Sequence, residues 1–208
     1  MHIIRLYTSI LLLLSLPGFS QNDSVKTIKY NRDFVFNDGV YKTFQEFKNN
    51  SPSIKKFSVK KASPLSDPNY TLIEYSDTIA DKNKLKDCWG YCYHGNVYIA
   101  HPYYAYYFKL MVIGSLCHYY GISEILSSNA FGNNMVTGIS FDKDYGQFML
   151  DFKTGITQIF NYKTFLNFIK TNDDELYQEL IVQKKKRQII YMYLLKYNER
   201  HPIWFKEK

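Results

Sequence analysis

The sequence predicts an α+β fold: a curved, mainly antiparallel β-sheet with a short N-terminal helix and a C-terminal helical segment. Three observations carry this. Short aromatic and β-branched runs recur between turn signals, and strands joined by short turns pair antiparallel, because parallel neighbours need long crossovers. At Lys84 to His101 two such runs flank His94-Gly95-Asn96, which reads as a hairpin. From Asn161 onward the apolar spacing changes from strand-like to helical.

Met1 to Ser20 reads as a secretory signal, with Arg5 in the basic stretch, Ile10 to Leu16 as the apolar run, and Gly18 and Ser20 as small residues before a cut at Gln21. The run is too short to span a bilayer, and no second one follows, so no transmembrane anchor is expected once the signal is removed. Export to the periplasm, the cell surface or the medium follows. Gln21 to Asp33 is polar and reads as a flexible, partly ordered arm or an edge strand. Residues 34–160 form the β-rich domain and 161–208 the helices packed on it, within a chain of 208 residues that suits one core.

The net charge is +7, or +6 without Arg5, and after Asn161 Lys and Arg outnumber Asp and Glu ten to six. Weak attraction to anionic surfaces follows. Nucleic acid is not an expected partner, since that needs a basic face organised with groove-reading or aromatic residues.

In chain order, Phe34 opens a short strand before an Asn37-Asp38-Gly39 turn. Thr43-Phe44-Gln45-Glu46 is a capping box, in which the Thr43 hydroxyl and the Glu46 carboxylate reach each other's backbone amides. The helix it starts ends at Asn49-Asn50, before Pro52. Phe57 to Lys61 and Tyr70 to Tyr75 are strands. In the central hairpin Trp89, Tyr91 and Tyr93 alternate with Cys88, Gly90 and Cys92, so the two sets are expected on opposite faces.

Two registers are open there. A His94-Gly95 loop sets Tyr91 against Tyr98 and Cys92 against Val97, whereas a Gly95-Asn96 loop sets Tyr93 against Tyr98. Further strands are expected at Phe108 to Ile113, Leu116 to Tyr120, Gly138 to Phe141, Gln147 to Phe152 and Ile156 to Phe160, with a loop over Ile122 to Asn134. Phe165, Leu166, Phe168 and Ile169 then fall at helical spacing. Asp173 caps a second helix, which is read as continuing through Lys184 to Arg187 as far as Asn198, with Pro202 as its stop.

The stretches DGVYKTFQEFKNNSPS, CWGYC followed by GNVYIA, and KYNERHPIW resemble a family of small exported proteins of unknown function from the Bacteroidota. The resemblance implies export and a shared fold, and it brings no catalytic or binding residues with it.

The chemistry is sparse. Cys88 and Cys92 are too far apart along one strand to bridge, at about 13 Å against a limit of about 7 Å. Only Cys117 is placed to pair with either, most directly as Cys92–Cys117, and the favoured reading is three small buried apolar residues. Cys88, Cys92, His94, His101, Cys117 and His118 match no closed zinc spacing, and Asp142-Lys143-Asp144-Tyr145-Gly146 lacks the later ligands of a calcium loop and reads as a hairpin turn. No metal or other cofactor is expected. Neither a nucleophile elbow nor a zinc-protease helix nor a phosphate loop occurs, and His101, His118 and His201 read as structural.

Tyrosine stands out, with 20 in the chain and Tyr103, Tyr104, Tyr106 and Tyr107 in one segment. Such rings suit contact with a protein or a glycan. Trp89, Tyr91 and Tyr98 are expected to organise the core. The favoured function is a non-catalytic envelope or secreted module binding a protein or glycan through aromatic surface. The alternatives are a hydrolase with an unrecognised site and a structural accessory protein with no ligand.

Overall fold

The computed structural model describes residues 26–61, 71–74, 88–100, 107–123 and 144–207. Its elements in chain order are β1 (Thr27–Lys29), β2 (Gly39–Tyr41), α1 (Phe44–Lys48), β3 (Ser58–Lys61), β4 (Thr71–Glu74), β5 (Gly90–Tyr93), β6 (Asn96–Ala100) and β7 (Tyr107–Val112). They continue with β8 (Leu116–Ser123), β9 (Asp144–Asp151), β10 (Thr157–Ile159), α2 (Tyr162–Asn172), α3 (Asp174–Ile181), α4 (Ile190–Arg200) and β11 (Trp204–Lys206). Seven strands form one antiparallel sheet in the order β10-β9-β8-β7-β6-β5-β2, while β1 pairs with β11 and β3 with β4. The fold is α+β.

The hairpin closes at His94-Gly95, both in the left-handed region at φ 50° and 72°, as a two-residue loop matched to strand twist requires. This selects the first register, with Tyr91 opposite Tyr98 and Cys92 opposite Val97. The two tyrosine rings stack at 4.7 Å, a cross-strand pair contributing about 0.2–1 kcal/mol. Asp38 makes the selection. Its carboxylate accepts the amides of His94 and Gly95, at 3.1 and 3.2 Å, and the thiol of Cys92 at 3.4 Å. Burial, with Asp38 adding to it, pushes the Cys92 thiol up to about 12.

The expected alternation of faces fails at Gly90. Cys88 packs with Tyr91 on one side of the sheet, whereas Trp89 packs with the cluster that holds Cys92 on the other. A Cβ on Gly90 would lie 2.2 Å from the Tyr98 carbonyl oxygen, so only glycine permits the local backbone course that turns Trp89 away from Tyr91. The Trp89 indole stacks on Phe47 of α1 at 4.5 Å and meets Phe44 and Tyr41.

One face of the sheet buries Cys92, Val97, Phe108, Leu110, Cys117 and Leu150 beneath Phe36, Phe47 and Phe205. Thr43 caps α1 through the Glu46 amide, but Glu46 does not return the bond to Thr43. Its carboxylate accepts the Lys42 amide at 2.8 Å and the Ser53 amide and hydroxyl, tying the loop after the helix instead. The expected strand at Phe34 is not formed, and those rings pack under β11 while the strand lies after the turn, at β2. Within the 21–33 segment, β1 pairs with β11, so both ends of the described chain meet at one place.

The opposite face carries two covers. Val40, Cys88, Tyr91 and Tyr107 are packed under Ile54, Phe57 and Val59, and at the other end α2, α3 and α4 bury Leu116, Met149, Phe165, Ile169, Leu180 and Leu194. Asn161 and Asp173 cap α2 and α3. The single long helix expected after Asp173 is two, because α3 ends at Ile181 and α4 starts at Ile190. Arg200 reaches Asp173, Glu175 and Glu179 across the gap, contacts that require α4 to double back beside α3.

One other expectation is corrected. Asp144 to Gly146 is not a turn: β9 runs through it, paired with a β8 that extends to Ser123, while Asp142 and the strand expected at Gly138 to Phe141 lie outside the described residues. Cys88, Cys92 and Cys117 are all buried thiols. Two strands separate Cys92 on β5 from Cys117 on β8, a span of about 14 Å at about 4.8 Å per strand, so a Cys92–Cys117 bridge is not formed. Denatured, unreduced protein should titrate as three thiols per chain, and a count of one would mean a bridge.

Candidate functional site

The site grows from how α4 is fixed to the sheet. The Asn198 side chain accepts the Leu116 amide at 2.8 Å and donates to the Leu116 carbonyl at 2.9 Å, clamping the helix to the start of β8. With Leu194 and Tyr197 buried, the flank of α4 carrying Tyr191, Leu195 and Glu199 at four-residue spacing stays open.

Beside the first of these lies His118, fully buried on β8. Its ring is surrounded edge to face by Phe160 at 5.2 Å, Tyr120 at 5.2 Å and Tyr191 at 5.3 Å. Nε2 donates to Gln147 Oε1 at 3.0 Å, which leaves Nδ1 buried with no hydrogen-bond partner. Burial lowers the His118 pKa, and the Gln147 bond offsets only part of that. The imidazole is therefore held neutral. Tyr120 and Tyr191 are 46% and 40% exposed and form an open aromatic lip above it.

The same helix face leads to a cleft of about 450 Å³. Val112, Ile113, Leu195 and Ile203 give it apolar walls, and Lys29, Arg32 and Glu199 charge its rim. A hollow that mixes apolar walls with polar and charged groups can hold a partner segment and orient it. A second, more polar cavity of about 710 Å³ lies by Asn37, Asp38, Asn50 and Lys206. Its central Asn50 is already committed, accepting the Asn37 amide and the Tyr41 hydroxyl and donating to the Val35 carbonyl.

The structure does contain a His–carboxylate pair, but it closes a helix joint. Asp173 accepts from His201 Nε2 at 2.8 Å, from Arg200 Nε at 3.0 Å and from the Leu176 amide at 3.0 Å. Burial raises the Asp173 pKa, and the Leu176 amide, His201 and Arg200 outweigh it, so the carboxyl stays below its ordinary value. The nearby Ser115 hydroxyl donates to the backbone carbonyl of His201, away from the ring. Among the described residues no three His, Cys, Asp or Glu side chains gather as a metal-holding group.

Of the tyrosines expected to bind, Tyr103, Tyr104 and Tyr106 lie outside the described residues. Tyr107 is corrected: it is 5% exposed, packed against Tyr91, with its hydroxyl 3.0 Å from Cys88 Sγ, because it opens β7 facing the covered side of the sheet. Tyr91 is fully buried, and Tyr98 and Trp89 are half-buried, so all three sit in core clusters. The lip of Tyr120 and Tyr191 was not foreseen. His118 and Tyr120 alternate in the sequence, but nothing local ties them to a helix far down the chain.

His118 also sets a pH dependence. Below its ordinary pKa of 6.5 the unfolded chain takes a proton that the folded imidazole refuses. The contribution is complete above that pH and is lost as pH falls toward the lower folded value. Urea unfolding of wild type and His118→Phe should diverge from about pH 7 to about pH 5, with wild type losing more. Parallel curves would show that His118 is not held neutral.

The model of one family, described as a family of unknown function (DUF6563), matches residues 39–201. Neither a curated protein nor a solved structure matches the chain.

Proposed function

The chain belongs to this family of unknown function, and on that premise we propose that it is an exported, non-catalytic module that binds a protein segment along the open flank of α4. The observation that carries the reading is the run from the Tyr120–Tyr191 lip to the cleft at Leu195 on one helix face. Exposed tyrosines beside a hollow offer large contact area at small entropic cost, as interface anchors do. The non-catalytic reading is supported by two described histidines, each with a ring nitrogen already committed: His118 is buried on an amide, and His201 is spent on the Asp173 joint. Export rests on the Met1 to Ser20 signal. A glycan is the second reading, favoured by the two exposed tyrosine rings, whose faces suit sugar stacking.

The test is the doubly substituted protein Tyr191→Ser, Leu195→Ser. Tyr191 is 40% and Leu195 39% exposed, and Tyr191 also packs on His118, so the variant should stay folded while its stability falls by about 1–2 kcal/mol. A partner recovered on immobilised wild type should be lost by about 30-fold or more, the effect of removing an interface anchor. Equal recovery on both proteins would place the contact elsewhere, and elution of the wild-type partner by free oligosaccharide would favour the glycan.

A further inference from the structure

A second surface, independent of the α4 flank, is the turn at 182–189. We infer that it docks the protein on an anionic phospholipid surface. The turn holds Lys184, Lys185, Lys186 and Arg187 in succession, and Lys184, Lys185 and Arg187 are exposed. Lys186 folds back, donating to the Ile181 carbonyl at 3.4 Å and lying over the Tyr162 ring at 5.9 Å. That contact seats the turn beside the start of α2, where Lys163 is also exposed. Five cations thus share one end of the helical layer.

Among the described residues no acid balances them there. Helix α2 contains neither Asp nor Glu, and the nearest acid along α3, Glu179, is bound to Lys196 and Arg200. Asp173, Asp174 and Glu175 lie at the far end of α3, and Asp173 and Glu175 are held by Arg200. Among the described residues Lys184, Lys185 and Arg187 have no ion-pair partner. Two residues before Lys184, Val182 is 74% exposed, more than any other exposed large apolar residue described.

This combination selects the occupant. A turn carrying unbalanced cations around an exposed apolar residue matches a flat anionic interface, where the cations meet headgroup phosphates and the apolar residue enters the acyl boundary. A nucleic acid would use the cations and gain nothing from Val182. Each basic residue near such a surface strengthens binding by about fivefold.

Sedimentation with vesicles tests it, using the full chain, vesicles of phosphatidylcholine alone and vesicles enriched in phosphatidylglycerol. The protein should sediment with the anionic vesicles only, less so as salt is raised. The triple variant Lys184→Gln, Lys185→Gln, Arg187→Gln should bind about 100-fold more weakly. Val182→Ser should weaken binding severalfold with the salt dependence unchanged. If the triple variant does not fold, Lys184→Gln alone should still lose about fivefold. Equal binding to both vesicle types, or full binding by the cation variants, overturns the inference. So does a Val182→Ser protein that binds as wild type does while duplex DNA displaces the vesicles, which would identify a polyanion site.

Discussion

Trp89→Ala is expected to lower the unfolding free energy by about 3–5 kcal/mol, read as a large fall in the urea midpoint. The indole stacks on Phe47 at 4.5 Å and bridges α1 to the central hairpin through Phe44 and Tyr41. Its removal opens a cavity beneath the helix. Against a total stability of about 5–15 kcal/mol, the loss is a large fraction of what holds the domain. An unchanged midpoint would mean that α1 is held without the indole, and the account of the N-terminal cover would fail with it.

A loss of similar size, about 3–5 kcal/mol, is expected from Phe205→Ala. Phe205 is 1% exposed and touches Phe34 at 4.4 Å, Phe36 at 5.4 Å and Phe152 at 5.6 Å. It closes the core from the last strand. Its neighbour Trp204 is 54% exposed on the same strand, so Trp204→Ala should change stability by only about 0.5 kcal/mol. Parallel urea titrations of the two variants give an internal comparison. Equal losses would contradict the placement of β11.

Much of the fold was legible because its signals are local. The caps at Thr43 and Asp173, the turn at Gly95 and the change of period at Asn161 each act within a few residues, and each is where the structure places it. What stayed open or was misread depends on distant partners. The register of the hairpin is fixed by Asp38, which lies far from it in the chain. The face of Trp89 depends on a glycine whose backbone approaches Tyr98 more closely than any side chain permits. Strands β1 and β11 have three residues each, too few to show a period, and are strands only because they pair.

The helical tail shows the same limit. Its apolar spacing reads equally as one helix or two, and only the contacts of Arg200 with Asp173, Glu175 and Glu179 require the reversal. The candidate site was the least legible part. It joins a strand residue, His118, to a helix residue, Tyr191, and the tyrosine run that drew attention in the sequence supplies only Tyr107 to the described residues, in the core.

Placing a photo-crosslinking amino acid at Tyr191, in cells that express the protein, tests the central claim most directly. Ile156, 58% exposed on the turn between β9 and β10, serves as the control position. The account predicts a discrete protein adduct from position 191 and none from position 156. The same adduct from both positions, or an adduct from position 156 alone, would contradict a binding face along α4.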